Sequence, residues 1–257
     1  MRIVKVLGLV AAAALAVAVA AVAAPGNGGR PALPPGAVQI APDVYSLGTH
    51  VRNGVEIEGI AVIHRARNGG NAAKPSGGNT CYTYLASGAT WAGVEDFLVD
   101  DSNAPISGMA SLMATDVGTW ESAAGADIFG TARADSGYDA VLTATDNRNG
   151  AEFAPIADAG VIAVTYTWGV FRGPPSSRQL VEWDMVFDSD SFTWSTTGSP
   201  TAMDFRNIDT HELGHAMGLG HPSGSCTEET MYAYASNGET KKRDLNAGDI
   251  AGIQSLY

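Results

Sequence analysis

Three of the five histidines in this chain of 257 residues lie in one short segment, HELGHAMGLGH, residues 211–221. His211 and His215 are four positions apart, so on a helix their imidazoles project from one face about one turn apart. His221 follows Gly218, which can adopt a positive φ and let the chain turn back toward the same point. Three imidazole nitrogens suit one zinc ion and leave the fourth position of a tetrahedral site open. The spacing therefore predicts a catalytic zinc site rather than a structural one.

Glu212 has a separate role in this segment. It follows the first histidine, so on a helix its carboxylate lies beside the metal rather than on it. From there it can accept a proton from the attacking water and pass it to the departing amine, which predicts hydrolysis of a peptide bond. The main alternative is a zinc site that binds without catalysis, but such a site needs no base at this position.

The elements expected to position these residues are those of an α+β layered domain. Apolar periodicity predicts a helix over 107–125, a helix over 203–218 capped by Asp204, and a last helix over 246–257. Alternating and β-branched runs predict strands, including a hairpin over 44–64 around Asn53-Gly54. The other predicted strands are 127–133, 139–144, 160–168 and 180–187.

The amino-terminal part divides into three predicted segments. Residues 1–23 have a basic start, an uncharged apolar run and an Ala-x-Ala site, as in a secretory signal peptide that is removed. Residues 24–66 comprise a Pro/Gly-rich tail, expected to be disordered, and the hairpin, which is a prosegment, an extension of the catalytic sheet or a small binding module. His50 and His64 are expected at its surface. Residues 67–80 resemble a flexible linker, and 81–257 form the catalytic domain.

Charge and cysteine content restrict the partners and the compartment. The formal charge of −12 argues against nucleic acid and anionic lipid, and we expect a secreted, extracellular monomer with no membrane association after signal cleavage. The two cysteines, Cys81 and Cys226, suit an oxidising compartment. They form one disulfide, or one of them is a thiolate that blocks the zinc.

The sequence resembles the metzincin metallopeptidases. HExxHxxGxxH, here residues 211–221, is similar to the extended zinc signature of that family, and EETMYAY (228–234) is similar to its methionine-containing turn, with Met231 as the methionine. The Met-Tyr order at 231–232 resembles the matrixin branch, of a secreted prokaryotic type. The resemblance implies a twisted, mostly parallel sheet with an edge strand for substrate, an active-site helix and a carboxy-terminal helix.

The same resemblance implies where a protein or peptide substrate lies. GVIAV (160–164) is similar to the edge strand along which matrixin substrates extend, and strand addition of this kind tolerates many sequences. Ile162 and Ala163 would then lie near the residue that follows the cut. Tyr232 would help form the wall of that pocket, and Met231 would form an apolar floor beneath the metal.

Departures from the family pattern set further expectations. No histidine lies between Cys81 and His211, so we expect no second, structural zinc. Asp184 and Asp188 partly match the calcium-binding acids, but Ser191 stands where another carboxylate is expected, so calcium and a solvated acidic turn remain alternatives. The latency motif of matrixins has no match upstream of Cys81. This favours the Cys81–Cys226 disulfide over a zinc-blocking thiolate.

Together these features predict a secreted zinc-dependent endopeptidase that hydrolyses internal bonds of extracellular proteins. Two alternatives remain open. One is a catalytically silent protein that keeps the metzincin fold for binding or adhesion. The other is a peptidase held inactive until residues 24–80 are removed.

Overall fold

Thirteen strands and three α-helices are present in the described residues, 29–67 and 80–257, of this computed structural model. The strands are β1 Val38–Ala41, β2 Val44–Arg52, β3 Val55–Ala66, β4 Thr83–Tyr84, β5 Glu95–Asp100, β6 Phe129–Ala134, β7 Gly150–Ala154, β8 Val161–Val170, β9 Gln179–Asp188, β10 Trp194–Ser195, β11 Met203–Asp204, β12 Leu219–Gly220 and β13 Tyr234–Ala235. The helices are α1 Met109–Ala124, α2 Phe205–Ala216 and α3 Ala247–Leu256.

The main sheet has the strand order β1-β2-β3-β8-β9-β7-β5-β6, and β13 pairs with β3. The strands β9, β7, β5 and β6 are mutually parallel, whereas β8 is antiparallel to β9 and the hairpin β2–β3 continues the antiparallel part. The predicted α+β class is therefore confirmed, with a sheet that is parallel in one half and antiparallel in the other.

The predicted substrate strand is not at an edge of this sheet. β8 lies between β9 and β3, and β3 pairs with it from Glu58↔Gly169 to Arg65↔Val161. The expectation of a free edge at 160–164 is wrong for this structure because the hairpin supplies the missing neighbour. In this structure the hairpin extends the main sheet, an arrangement that a prosegment can also have.

The hairpin turn itself is as predicted. Asn53 and Gly54 both have positive φ, 51° and 80°, as the tight turn between two paired strands requires. The tail before it is more ordered than expected, since Arg30 N donates to Pro155 O and Ala32 N donates to the Asp158 carboxylate. The predicted signal peptide and almost all of the predicted linker lie outside the described residues.

One predicted strand is absent from the described chain. Residues 139–144 are irregular, although their sequence alternates like a strand. Side chains satisfy the backbone donors in and just after this segment: Ala140 N donates to Glu152 at 2.9 Å, and Asp146 N donates to Glu182 at 2.7 Å. Carboxylates thus replace the ladder partners that a strand would need.

The helices cover one face of the main sheet and create its larger core. Apolar residues on one side of α1 lie in this core: Met109, Met113, Val117 and Trp120 are buried, and Leu112 is half-buried. Trp120 Nε1 donates to Thr210 O at 2.7 Å and so fixes α1 against α2. Pleating sends Ile60 and Val62 of β3 to this core and Ala61 and Ile63 to the opposite one, so the next even position, residue 64, points toward α2.

No helix within residues 29–67 and 80–257 combines the length and apolar character that crossing a bilayer requires.

Candidate metal centre

The helix α2 begins at a well-defined cap. The Asp204 carboxylate accepts from Asn207 N at 3.1 Å, as predicted, and Arg243 Nε donates to the same carboxylate at 2.7 Å. This arrangement satisfies a free amide at the helix start and fixes the rotation of α2 relative to the following loops. His211 and His215 consequently face the same side of the helix.

The three histidines of the 211–221 segment meet at one point. The Nε2 atoms of His211 and His215 are 3.1 Å apart, those of His215 and His221 are 3.1 Å apart, and those of His211 and His221 are 3.2 Å apart. Nitrogens bound to a tetrahedral zinc at about 2.0–2.1 Å lie about 3.3–3.4 Å from one another. The three imidazoles therefore have the separation that a single zinc ion demands.

Backbone carbonyls select the tautomer that leaves Nε2 free to bind metal. His211 Nδ1 donates to Thr230 O at 2.6 Å, and His215 Nδ1 donates to Leu219 O at 2.8 Å. Burial lowers the pKa of His215 to about 4 and lowers the pKa of His211 and His221 well below the usual range. His211 Nε2 and His215 Nε2 therefore both present lone pairs at one point and cannot hydrogen-bond to each other, so the donor set fits a cation.

Two glycines allow the close packing around this centre. Gly218 has φ +105°, and a Cβ there would lie 2.8 Å from Ala89 O, so the predicted abrupt turn before His221 needs glycine. Gly214 of α2 touches the sulfur of Met231, and a Cβ there would lie 2.3 Å from it. Met231 thus packs directly against α2.

The carboxy-terminal helix holds the methionine-containing turn in place. Asp249, at the third position of α3, accepts from Thr230 N at 2.7 Å and from Met231 N at 3.1 Å. It also completes a capping box with Asn246. Since Thr230 O in turn accepts from His211, α3 orients a metal ligand through this turn. The sequence shows the capping pattern of Asn246 and Asp249, but it gives no sign that Asp249 also binds the amides of Thr230 and Met231.

Glu212 is completely buried, and both of its carboxylate oxygens have partners. Thr165 of β8 donates from Oγ1 to Oε2 at 2.6 Å, and His64 of β3 lies with Nδ1 2.8 Å from Oε1. Burial raises the pKa of Glu212 to about 8, and the Thr165 hydrogen bond opposes this rise. The predicted base is thus in position beside the three imidazoles, and His64 occupies one of its oxygens.

The expectation that His64 is a surface residue is wrong. Its side chain is fully buried, and its ring stacks on His211 with 3.8 Å between the centroids. The side chains at even positions of β3 face α2. Once β3 is paired with β8, His64 is therefore buried against that helix. His50 is half-buried as a hairpin residue, with Nε2 3.0 Å from Thr145 Oγ1.

Sequence reasoning also missed Lys242, which is fully buried beside this group. Its Nζ donates to Tyr232 O and lies 3.0 Å from His64 Nε2 and 3.4 Å from His211 Nδ1. Burial lowers the pKa of Lys242 to about 7. A lysine in a polar run, KKRD, gave no signal of burial.

The three predicted substrate residues lie near this group but are covered. Ile162 and Ala163 of β8 are buried in the helix-side core, and Ala163 is the register partner of His64. Tyr232 is buried beside Lys242. The strand β3 therefore fills the place that was expected for a substrate.

The remaining predicted pairs have different outcomes. Cys81 and Cys226 form a disulfide, which ties the chain two residues before β4 to the loop after His221. Asp184 and Asp188 are four residues apart in β9, about 13 Å along a strand, so they do not share one site. Asp184 contacts Tyr138 Oη, whereas Asp188 accepts from Ile156 N and from the turn after β9.

Comparisons with known proteins agree with this geometry over part of the chain. Residues 173–257 match the family model described as Matrixin. Human matrilysin is 42% identical over 74 residues, which are 29% of this chain and 26% of that protein. Metalloendoproteinase 2-MMP of Arabidopsis thaliana is 38% identical over 88 residues, 33% and 21% of the two chains. Human matrix metalloproteinase-19 is 41% identical over 99 residues, 36% and 18% of the two chains.

The matched segment spans about a quarter or less of the length of these relatives. Among solved structures, metalloproteinase-II from Bacteroides fragilis aligns with 84% of this chain and 77% of its own at 12% identity and a TM-score of 0.38, which adds nothing to the assignment. The family match and the relatives, together with the three converging imidazoles, support a likeness to the matrixin metzincins that is carried by residues 173–257.

Proposed function

We propose that this protein is a secreted zinc-dependent endopeptidase that hydrolyses internal peptide bonds of extracellular proteins as a monomer. The observation that carries the proposal is the convergence of three imidazole Nε2 atoms, 3.1–3.2 Å apart, beside the buried carboxylate of Glu212. A metal site that only stabilises the fold would be closed by a fourth protein ligand.

His211, His215 and His221 would hold the ion. Zinc at this point would polarise the scissile carbonyl and lower the pKa of the attacking water toward about 7. Glu212 accepts the proton of that water on Oε1 and later donates it to the departing amine. Thr165 keeps Oε2 fixed by its hydrogen bond, so the carboxylate presents the same oxygen in each step. The proton transfers thus need no residue beyond those already at the site.

We further propose that residues 29–67 are a prosegment that keeps the enzyme latent. In the described arrangement His64 occupies Oε1 of Glu212, and neither side chain is exposed to solvent. The strand β3 also fills the side of β8 where a substrate would add as a strand. Substrate can reach the centre only after β3 leaves, so activity depends on displacement of the hairpin.

The test uses the full chain loaded with zinc and with a specific protease site inserted between residues 68 and 79. Casein cleavage is measured before and after that site is cut. We expect a low rate before the cut and a clear rise after it, and a loss of about 10²–10⁴-fold in the nicked Glu212→Gln protein, because a positioned general base contributes about that much. Glu212→Gln should bind zinc normally. A zinc-loaded protein that cleaves nothing before or after the cut contradicts the proposal.

The occupied state of Glu212 favours one second candidate, a catalytically silent binding protein. A carboxylate whose two oxygens are both engaged by the same fold needs no further partner. This candidate predicts stoichiometric zinc, a hairpin that stays bound after the linker is cut, and no proteolysis. Size-exclusion chromatography of the nicked, zinc-loaded protein separates the two candidates, since only the peptidase requires release of residues 29–67.

A further inference from the structure

His64 occupies a small pocket beside the metal centre. The pocket is bounded by β8, by α2 and by the loop that carries Lys242, and we call it the Lys242 pocket; its residues are Ala163, His211, Tyr232 and Lys242. The His64 ring bridges the pocket, with Nδ1 on Glu212 and Nε2 on Lys242 at 3.0 Å. Since Glu212 accepts from Nδ1, Nε2 is the atom that accepts from the lysine.

The strand that carries His64, β3, pairs with β8 as a substrate peptide bound by strand addition would pair with it. β3 is antiparallel to β8, with His64 opposite Ala163, and its end is parallel to β13 through Arg65↔Tyr234 and Ala66↔Ala235. It is therefore hydrogen-bonded on both sides, by β8 and by the segment that follows the methionine-containing turn. A substrate that replaces β3 would meet the same two neighbours, and its residue opposite Ala163 would enter the Lys242 pocket.

The buried Lys242 ammonium requires a hydrogen-bond acceptor on the side chain that occupies the pocket. Its ammonium is completely buried and has three hydrogens to donate. Tyr232 O accepts one of them, and His64 Nε2 accepts a second. His211 Nδ1, at 3.4 Å, already donates to Thr230 O and so cannot accept from the lysine. An aliphatic side chain in place of His64 would leave a buried donor without a partner, which is costly.

We propose, on the basis of the proposed peptidase function, that Lys242 is a specificity-determining residue. It selects substrates whose side chain after the cut has a neutral hydrogen-bond acceptor at its tip, glutamine or histidine, over substrates with an aliphatic residue there. Glutamine places its carbonyl oxygen the same number of bonds from Cα as histidine places Nε2. His64 is the chain's own example of such a side chain.

The first test measures the preference of the pocket within the full chain and needs no activity. His64→Gln and His64→Leu are compared by urea unfolding of the metal-free protein, each alone and together with Lys242→Met. We expect His64→Leu to raise the unfolding equilibrium constant about tenfold more than His64→Gln when Lys242 is present, and this order to reverse with Lys242→Met. Lys241→Met, at the neighbouring and partly exposed lysine, should leave the order unchanged. An order that is independent of Lys242 overturns the proposal, because it would make the lysine merely structural.

The second test uses the nicked, zinc-loaded full chain and two peptides that differ only in glutamine or leucine after the cut. We expect kcat/KM to favour glutamine by about tenfold and Lys242→Met to remove that preference. Cleavage of both peptides at equal rates overturns the specificity while leaving the peptidase function intact. Cleavage of neither peptide refutes the peptidase function instead, and the unfolding series still decides whether Lys242 selects the occupant of its pocket.

Discussion

Two regions of this molecule contribute to one site in different ways. In the matched segment, 173–257, the metal-binding residues are eleven positions from first to last, and a helix and one turn bring them together. In the hairpin, 29–67, His64 reaches Glu212 across a separation of 148 residues. Short-range spacing fixes the first arrangement, whereas sheet pairing fixes the second. Under the proposed function, the carboxy-terminal region would supply the chemistry and the hairpin would control access to it.

Replacing a histidine in each region gives the strongest test of this division. We expect His215→Ala to lower zinc affinity by at least about 100-fold, because loss of a direct ligand costs more than loss of an outer partner, which costs about 10–100-fold. His50→Ala is the matched control in the hairpin and should bind zinc as the unaltered protein does. Titration calorimetry with zinc measures both. Tight binding by His215→Ala, or its loss in His50→Ala, would reverse the assignment of the two regions.

The hairpin's control of access predicts an effect of the opposite sign. His64→Ala removes the contact that holds β3 to Glu212, so β3 should leave β8 more readily, and the zinc-loaded full chain should cleave casein faster than the unaltered protein does. It also leaves Lys242 with an unsatisfied buried donor, which should cost about 1–3 kcal/mol of unfolding free energy.

Ile63→Ala is the control for that result. Ile63 neighbours His64 on β3, but its side chain enters the opposite core, so truncation should destabilise the protein by about 2–5 kcal/mol without touching Glu212. If both substitutions activate equally at matched stability, loosening of the strand accounts for the activation and the His64–Glu212 contact does not.

What the sequence predicted follows the same division. The convergence of His211, His215 and His221, the Asp204 cap, the Gly218 turn and the Asn53-Gly54 hairpin each depend on neighbours within a few positions, and the structure has all four. Local propensity carries that information directly.

The missed features depend on distant partners. The burial of His64 follows from β3 pairing with β8, and nothing within the hairpin indicates which strand it joins. Residues 139–144 alternate like a strand, but carboxylates of β7 and β9 bind the backbone in and near this segment. Lys242 looks like a surface lysine because its partners, Tyr232 O and His64, converge only in the folded chain.

The disulfide provides another test, since it joins the matched segment to the chain just before β4. Cys81 and Cys226 close a loop of 145 residues, for which chain entropy gives an upper value of about 5 kcal/mol. We expect replacement of both by serine to lower the unfolding free energy by up to that amount, as measured in urea. Zinc affinity should fall as well, since the bridge anchors the loop that follows His221. Unchanged zinc affinity in the serine variant would show that β4 and β12 alone hold that ligand.

The smallest effect concerns Asp184, which lies in the matched segment but contacts Tyr138 outside it. Burial raises the pKa of Asp184 to about 8, above its ordinary value near 4. Between these values the folded protein binds more protons than the unfolded chain, so the unfolding free energy should fall as pH rises from about 4 to 8. Asp184→Asn carries no such charge and should flatten this loss, which we expect to be a few kcal/mol, whereas Asp190→Asn at the exposed turn after β9 should not. Urea unfolding at pH 5 and pH 8 measures this loss in the unaltered protein and in the two variants. If all three proteins lose the same stability, Asp184 is charged in the folded protein. Its contact with Tyr138 would then be an ionic hydrogen bond that joins the two parts of the chain.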